Sequence, residues 1–494
     1  MTISNSGRAS WCVGLTAFFV LGSANLIARA DDIVGRPPAG GDLTIGEGAF
    51  RHLQALQDIA AASGGNRAAG TVGYDRSALY VAKRLKEAGY TVRFEEFEFP
   101  FFEEKSPPVL LADRPDGSQE PASPDAVRTL ANSGSGKVEA RLRGVNLGLS
   151  TASPAASASA CEGKDFDGFE RGAVALVRRG TCQFQVKVDN AVAAGAVGVI
   201  IMNEGTEGRS DAFSGSLSKR ADVPVVGVTY ELGRSLAAQA GSPVRLAVDA
   251  VTGKRTTRNV VADTRSDDAG PLIVVGAHLD SVPEGPGIND NGSGSAAVLE
   301  AALRLAQTPA HGRMRFAFWG AEERGLVGSR HHVAALSEAE RQQIALYVNL
   351  DMVGSPNFSR FVRTSAATLE GVAAIVRDEI VADFRTHDLP FDQRSGGRFG
   401  SDDASFSQKG IPTVGLYTGA AGQKPESEAK LFGGEAGRPY DPCYHRACDT
   451  VANISREALE QNTRALVRAL RAATASRARS TSAPEPVDLP GPKQ

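Results

Sequence analysis

The sequence predicts an α/β protein in which a mixed or mostly parallel sheet is covered by helices on both faces. Short apolar runs bounded by turn residues recur in the second half of the chain and alternate with segments of helical periodicity. A smaller strand–helix–strand region with its own apolar runs interrupts the pattern. At 494 residues the chain also exceeds one ordinary domain. We therefore expect one catalytic domain made of residues 31–119 and 256–475, with residues 120–255 inserted as a second domain.

The N-terminal region is predicted to be helical. Leu53, Leu56 and Ile59 recur at helical spacing before a glycine-rich break at residues 64–66. A second helix follows the break and ends at Gly89, a typical C-cap residue.

The region that follows contains the inserted domain. Residues 91–99 alternate between apolar and polar side chains, which is typical of a strand. Residues 104–160 are rich in Pro, Ser, Ala and Gly, and we expect regular structure to return only at Cys161. Strands are then predicted at 173–177, 198–202 and 224–228, with a helix at 184–194.

The second half of the chain supplies the main sheet. Residues 271–276 form a continuous apolar run, as expected of a central strand covered on both faces. Further strands are predicted at 259–262, 314–319, 346–350 and 411–416, and helices at 294–305 and 457–473. The tail, residues 476–494, is rich in Ser, Arg and Pro and is predicted to be disordered.

Composition and charge exclude several classes of partner, and the N-terminus indicates export. The formal charge of −3 favours neither nucleic acid nor a polybasic membrane contact. A polar start with Arg8 leads into an apolar stretch at residues 11–22, which is too short to span a bilayer comfortably. Because Ala28-Arg29-Ala30 suits a signal peptidase, residues 1–30 are predicted to be a cleavable signal peptide; an uncleaved anchor is the alternative. We expect a secreted or periplasmic protein without stable membrane insertion.

The cysteines are consistent with export. Cys12 would leave with the leader, and the remaining Cys161, Cys182, Cys443 and Cys448 allow three pairings. Proximity in sequence favours Cys161–Cys182 and Cys443–Cys448. Neither pair has the short spacing of structural zinc sites.

Histidine and acidic residues follow several predicted strands, where sites in open α/β sheets usually lie. They are His278 and Asp280 after 271–276, Asp290 in a glycine-rich turn, Glu322 and Glu323 after 314–319, Asp351 after 346–350, and His445 on a later loop. Each alone has a common structural explanation, and their joint occurrence favours a metal hydrolase. Two imidazoles and three carboxylates are donors that zinc pairs use: His278, Asp290, Glu323, Asp351 and His445.

The two adjacent glutamates, Glu322 and Glu323, are predicted to have different roles. One carboxylate would bind metal while its neighbour, uncoordinated, takes the proton of the attacking water. Asp280 can orient His278 as a hydrogen-bond partner behind the ligand.

Five motifs, in order, resemble those of the secreted bacterial co-catalytic zinc aminopeptidases, which are leucine aminopeptidase-like metallopeptidases of clan MH. They are Gly276-Ala277-His278-Leu279-Asp280, Gly287-Ile288-Asn289-Asp290-Asn291-Gly292, Trp319-Gly320-Ala321-Glu322-Glu323, Asn349-Leu350-Asp351-Met352 and Cys443-Tyr444-His445. The resemblance covers nearly all of residues 45–470. It implies a three-layer α/β/α zinc-peptidase domain with a mixed, mostly parallel sheet.

The resemblance also implies roles for single residues. Two zinc ions per chain would be held by His278 and Asp351, by Glu323 and His445, and by Asp290 as a bridge. Glu322 would be the general base, and Tyr444 would hydrogen-bond the tetrahedral oxyanion. The Asp290–Asn291 peptide bond would be cis.

The inserted domain resembles a protease-associated (PA) domain through Arg179-Gly180-Thr181-Cys182-Gln183-Phe184 and Ala194-Gly195-Ala196-Val197-Gly198. This resemblance supports the pairing of Cys161 with Cys182. The aminopeptidase resemblance likewise supports the pairing of Cys443 with Cys448.

One segment departs from the family pattern. Many relatives have Ser-Asp-His where this chain has Ser401-Asp402-Asp403, and the loop at 394–400 also looks altered. Arg398 and Asp402 are the candidate substrate-binding residues there.

The leading hypothesis is removal of single, mainly apolar residues from the N-termini of peptides. A carboxypeptidase or glutaminyl cyclase on the same scaffold is the second interpretation, with Arg394 and Arg398 as candidates to bind a substrate carboxylate. A metal-free binding protein that uses the inserted domain is the third. Nothing in the sequence indicates the oligomeric state.

Overall fold

The computed structural model describes residues 43–113, 119–149, 157–206, 209–265, 270–307, 312–396 and 400–481. The predicted signal peptide and Arg398 lie outside these ranges. The chain divides into a discontinuous unit, residues up to Phe97 and from Thr256, and an inserted unit, Glu98–Arg255. The prediction placed this boundary between residues 119 and 120, whereas the described residues 98–113 and 119 group with the inserted unit.

Helices and strands are numbered in chain order. The strands are β1 Thr91–Asp113, β2 Gln119–Pro121, β3 Val127–Thr129, β4 Gly136–Gly144, β5 Val174–Arg178, β6 Gly198–Met202, β7 Val225–Val228, β8 Pro243–Asp263, β9 Leu272–His278, β10 Met314–Trp319, β11 Ile344–Leu350, β12 Phe361–Thr364, β13 Asp392–Ser395 and β14 Thr413–Tyr417. The helices are α1 Ile45–Ala61, α2 Val72–Glu87, α3 Phe184–Ala193, α4 Tyr230–Ala238, α5 Gly294–Ala306, α6 Val327–Ala335, α7 Glu338–Gln343, α8 Gly371–Thr386, α9 Asp403–Ser407, α10 Glu426–Phe432 and α11 Arg456–Thr481. Short 3₁₀ turns lie at Pro124–Ala126, Gly163–Phe166 and Val451–Asn453, and a π-type turn at Ile288–Ser293.

The discontinuous unit contains the predicted mixed, mostly parallel sheet. Its strand order is β13–β12–β14–β11–β9–β10–β8. The pairs β10/β9, β9/β11, β11/β14 and β12/β13 are parallel, whereas β8/β10 and β12/β14 are antiparallel. β9 is buried at every residue, because helices cover both faces of the sheet centre.

Alternation along β9 separates two hydrophobic layers. Ile273 and Val275 pack into the larger core, with α1, α2, α5, α8 and α11. Leu272 and Val274 face the other way, into a smaller core that includes Val333 of α6. Because successive side chains of a strand point to opposite faces, these two cores make the three-layer α/β/α arrangement.

The ends of the helices follow local signals in the sequence. Thr44 caps α1 in a capping box with Glu47, and Thr71 caps α2.

α11 continues through residues 476–481, part of the tail predicted to be disordered, and the rest of the tail lies outside the described residues. None of the helices in the described ranges combines the length and apolar character that a membrane span requires.

The inserted unit has its own sheet, in the order β8–β4–β5–β6–β7–β3. β4 to β7 are parallel neighbours, and β3 and β8 pair antiparallel at the two sides. A disulfide joins Cys161 to Cys182, as the PA resemblance implied.

The expectation that residues 104–160 lack regular structure is wrong. β1 continues to Asp113, and β2, β3 and β4 lie in the same stretch. β4 exposes charged side chains on alternate positions and buries only Leu142 fully, so backbone pairing rather than an apolar run defines it.

Candidate metal centre

Three neighbouring parallel strands end together at the site. His278 is the last residue of β9, and it pairs with Trp319 at the end of β10. Asp351 directly follows β11, which is the other neighbour of β9. Because β10, β9 and β11 run in the same direction, their carboxyl ends bring His278, Glu322–Glu323 and Asp351 to one edge of the sheet.

The turn that carries Asp290 lies against the end of β11. The Asp290–Asn291 peptide bond is cis, as the family resemblance implied. The Asn291 side chain donates to the carbonyl of Leu350 at 2.9 Å. A Cβ at Gly294 would lie 2.3 Å from the same carbonyl oxygen, so only glycine allows α5 to begin this close to β11.

Asp290 lies between the two histidines. Its Oδ1 is 3.3 Å from Nε2 of His278, and its Oδ2 is 3.0 Å from Nε2 of His445. Asp351 Oδ1 lies 3.6 Å from Nε2 of His278, and Glu323 Oε2 lies 3.3 Å from Nε2 of His445. One carboxylate therefore faces two imidazoles, each of which also has a carboxylate of its own.

Glu322 and Glu323 approach different histidines. Glu322 Oε2 is 4.0 Å from Nε2 of His278, a longer distance than that of either aspartate. Asp280 fixes both glutamates, since it accepts from the backbone N–H of Glu322 at 3.1 Å and of Glu323 at 3.4 Å. The Nδ1 atom of His278 lies nearer the backbone oxygen of Asp280, at 3.1 Å, than its carboxylate, at 3.6 Å.

Left-handed backbone occurs at three site positions that are not glycine. φ is +56° at Ala321, +51° at Met352 and +57° at His445. Such conformations cost about 1–3 kcal/mol each and persist where the surrounding structure imposes them. They occur next to Glu322, next to Asp351 and at His445 itself.

Burial and crowding of carboxylates dominate the electrostatics. Burial raises the pKa of Glu322 well above its ordinary value, and burial followed by the charge of Asp290 raises that of Glu323 to about 7. Burial lowers the pKa of His278, but the surrounding carboxylates outweigh it and the net shift is upward. Burial opposes ionisation of Asp290, yet its bonds to the two histidines lower its pKa. This cluster of carboxylates therefore needs positive charge nearby to stay ionised.

The donor set fits bound metal. Two groups could each hold a cation within the described residues: His278, Asp290 and Glu323, and His278, Glu322 and Asp351. Oε1 of Glu323 and Oδ1 of Asp351 are buried without a hydrogen-bond partner among the described residues. Buried carboxylate oxygens without partners are costly, and a cation satisfies them. Nitrogen and oxygen donors without thiolate are compatible with zinc.

A short disulfide loop presents His445. The Cys443–Cys448 bond closes the loop, as the resemblance implied. The ring of Tyr444 stacks on that of His445 with centroids 3.8 Å apart. Asp441 accepts from the backbone N–H of Cys443 at 2.8 Å and from the side chain of Asn289 at 2.6 Å, which ties the loop to the turn that carries Asp290.

A cavity of about 410 Å³ opens beside these residues. Its walls contain candidate ligands, apolar groups and one arginine: His278, Asp290, Glu322, Glu323, Gly325, Leu326, Asp351, Met352, Arg363, Gly400, Ser401, Tyr417, Ala420 and Tyr444. Ser401 is held by a chain of hydrogen bonds from the core, in which Tyr347 donates to Asn349 at 2.7 Å and Asn349 donates to Ser401 at 3.0 Å.

Asp402, one of the two predicted substrate-binding residues, is not among the residues that line the cavity. Asp402 is fully buried, and neither of its carboxylate oxygens has a hydrogen-bond partner among the described residues. Arg394 forms ion pairs with Asp392 and Glu428 at 2.8 and 2.9 Å. Arg398 lies outside the described residues. Gly400 and Ser401 form the wall at this point instead.

Two supporting residues were missed by the sequence analysis. Asp449 accepts from the backbone N–H of Asn289 at 2.8 Å and of Asp290 at 3.0 Å. Arg67 is fully buried and donates to the carbonyls of Pro286, Gly287 and Leu279. A buried arginine next to a glycine-rich break looks like a surface loop residue in sequence, so no local pattern indicated its role.

Replacement of Arg67 with methionine should lower the free energy of unfolding by about 3 kcal/mol, because three buried carbonyls lose their donors. Chemical denaturation followed by tryptophan fluorescence measures the change. Arg84→Met on α2 is the matched control, since Arg84 pairs with Glu87 at the surface and should contribute below about 1 kcal/mol. Equal losses in the two variants would contradict a role for Arg67 beneath the site.

Comparisons with known proteins identify relatives of this chain. Residues 259–470 match peptidase family M28, and residues 148–236 match the PA domain. An aminopeptidase of Pseudomonas aeruginosa is 43% identical over 422 residues, covering 83% of this chain and 77% of the relative. A probable lipoprotein aminopeptidase of Mycobacterium tuberculosis is 39% identical over 83% of this chain and 81% of its own. A zinc aminopeptidase structure from Bacillus subtilis superposes with a TM-score of 0.64 and 27% identity, covering 86% of this chain and 94% of that chain.

Proposed function

This chain belongs to peptidase family M28 with a PA domain within it, and on that basis we propose that it is a secreted aminopeptidase with two zinc ions, which releases single, mainly apolar residues from peptide N-termini. Family membership makes the chain a zinc-dependent metallo-aminopeptidase that acts on peptides. The number of ions, the roles of single residues, the side-chain preference and export are the proposed parts.

The observation that carries the proposal is the position of Asp290. Its two oxygens face His278 and His445 at 3.3 and 3.0 Å, which suits a carboxylate shared by two ions. We assign His278 and Asp351 to one ion, Glu323 and His445 to the other, and Asp290 to both. Bound zinc supplies Lewis acidity, which lowers the pKa of water and polarises a peptide carbonyl.

Glu322 is assigned as the general base. Its carboxylate lines the cavity and lies farther from His278 than Asp290 and Asp351 do. It can therefore accept the proton of the attacking water and return it to the departing amine. The hydrogen bond from the Glu322 backbone N–H to Asp280 keeps this glutamate in place during both transfers.

Tyr444 is assigned as the donor to the oxyanion. It lines the same cavity, and burial followed by the charge of Asp290 raises the pKa of its phenol above the ordinary value. The phenol therefore stays protonated at neutral pH and can donate a hydrogen bond as negative charge develops on the carbonyl oxygen.

The cavity wall supports a preference for apolar side chains. Leu326, Met352 and Ala420 line it, together with the ring of Tyr417. The carboxypeptidase or cyclase alternative gains no support from Arg394, which is engaged in ion pairs outside this wall.

Export is supported by the leader-like residues 1–30, which lie outside the described part of the chain. N-terminal sequencing of the protein recovered from the periplasm or medium should begin at Asp31. A first residue within the leader would argue for an anchored form.

The purified mature protein should contain about two zinc ions per chain and hydrolyse leucyl p-nitroanilide. Metal analysis measures the ratio, and a spectrophotometric assay measures the turnover. Chelation should abolish activity, and added zinc should restore it. An active protein without zinc, or release of residues only from the C-terminus, would overturn the proposed function.

A further inference from the structure

One charged side chain in the cavity wall has no part in the proposed chemistry. Among the described residues that line the cavity, Arg363 is the one arginine or lysine. The other charged groups in the wall are the candidate ligands and Glu322, which the metal chemistry uses. Arg363 therefore places a permanent positive charge where no catalytic step requires one.

The sheet explains how Arg363 reaches the cavity. It lies on β12, opposite Gly415 of β14, and Gly415 in turn pairs with Asn349 of β11. Because Gly415 has no side chain, no side chain of β14 fills the space between Arg363 and the end of β11 at this register position. A Cβ at Gly415 would lie 3.7 Å from that of Arg363.

An aromatic ring fixes the position of the guanidinium group. Its central carbon lies 3.9 Å from the centroid of the Tyr417 ring, and Tyr417 lines the same cavity. A guanidinium group stacked on a ring keeps its positive charge. Burial raises the pKa of Asp403 to about 7, and the positive charge of Arg363 opposes that shift.

We propose that Arg363 selects substrates by the charge of the N-terminal side chain, accepting acidic side chains in this cavity and rejecting basic ones. The inference rests on the proposed aminopeptidase function, because that function brings the first residue of a peptide into the cavity. Aliphatic side chains remain substrates, since Leu326 and Met352 supply apolar wall. A glutamyl and a lysyl side chain differ by two charges in the field of Arg363, so their relative rates should depend strongly on it.

The test compares kcat/KM for glutamyl, leucyl and lysyl p-nitroanilides in the zinc-loaded enzyme. The ratio of the glutamyl to the lysyl value should fall at least roughly tenfold in Arg363→Met. Arg363→Lys keeps the charge and should retain most of the ratio. Arg394→Met is the matched control, since Arg394 pairs with Arg363 across β12 and β13 but is engaged with Asp392 and Glu428. It should leave the ratio unchanged.

A second measurement needs no variant. If the charge of Arg363 sets the ratio, added potassium chloride should lower it in the wild-type enzyme through screening. A ratio that does not respond to salt and is equal in the wild type and Arg363→Met would overturn the inference while leucyl turnover still supports the aminopeptidase. Absence of turnover on every anilide would overturn both.

The carboxylate that Arg363 attracts could also be the C-terminal one of a very short peptide. Rates on Leu-Leu and on its C-terminal amide separate the two sources. Loss of Leu-Leu hydrolysis relative to the amide in Arg363→Met, with an unchanged glutamyl-to-lysyl ratio, would show that Arg363 binds the main-chain carboxylate and would overturn the side-chain proposal.

Discussion

Glutamine in place of Glu322 should lower kcat by roughly 10²–10⁴-fold, the usual contribution of a positioned general base. The amide is nearly the same size but cannot accept the proton of the attacking water. Zinc content should stay at the wild-type value, since Glu322 lies 4.0 Å from His278 and is assigned no ion. Turnover of leucyl p-nitroanilide and metal analysis of the same preparation measure the two quantities.

The chain offers a matched control in the neighbouring residue. Glu323→Gln makes the same chemical change one position along, but Glu323 lies 3.3 Å from His445 and is assigned to an ion. We expect this variant to lose zinc as well as activity. Loss of zinc in Glu322→Gln instead would show that the roles of the two glutamates are reversed. This outcome has to be measured because Glu322 lies close enough to His278 and Asp351 for the three to hold a metal ion.

Much of the centre of the discontinuous unit could be predicted because its central strands are mostly apolar. β9 is buried at every residue and β10 at every residue except Arg315, so each appears as a short, mostly apolar run between turn residues. β4 could not be predicted in this way. It alternates between partly buried and exposed positions and is defined by backbone pairing with β5 and β8, which a single sequence does not reveal.

The residues of the candidate site differ in the same way, since some could be predicted from the sequence and others could not. His278 and Asp351 follow apolar strands, so the sequence places them at one sheet edge on physical grounds. His445 depends on a loop far along the chain, and only the family resemblance and the flanking cysteines indicated it. Arg67 and Asp449 act through backbone groups of the turns that carry the ligands, and hydrogen bonds to the backbone leave no pattern in sequence.

The second large effect is expected at Asp290, where alanine should remove both zinc ions and reduce activity to background. Each oxygen of Asp290 faces a different histidine, so its loss takes one donor from each half of the site. The remaining groups would then be a histidine with one carboxylate for each ion, too few for tight binding of zinc. Metal analysis after gel filtration measures the ratio.

Thermal unfolding tests the same point without an activity assay. A ligand that binds only the folded protein raises its stability in proportion to RT ln(1 + [L]/Kd), so zinc should raise the Tm of the metal-free wild type. It should raise the Tm of Asp290→Ala far less. Asp351→Ala is the control, because Asp351 is near His278 alone and its loss should leave the site at His445 filled. If Asp290→Ala instead kept one ion and the zinc-dependent rise in Tm, Asp290 would serve a single ion, and the two histidines would belong to independently filled sites.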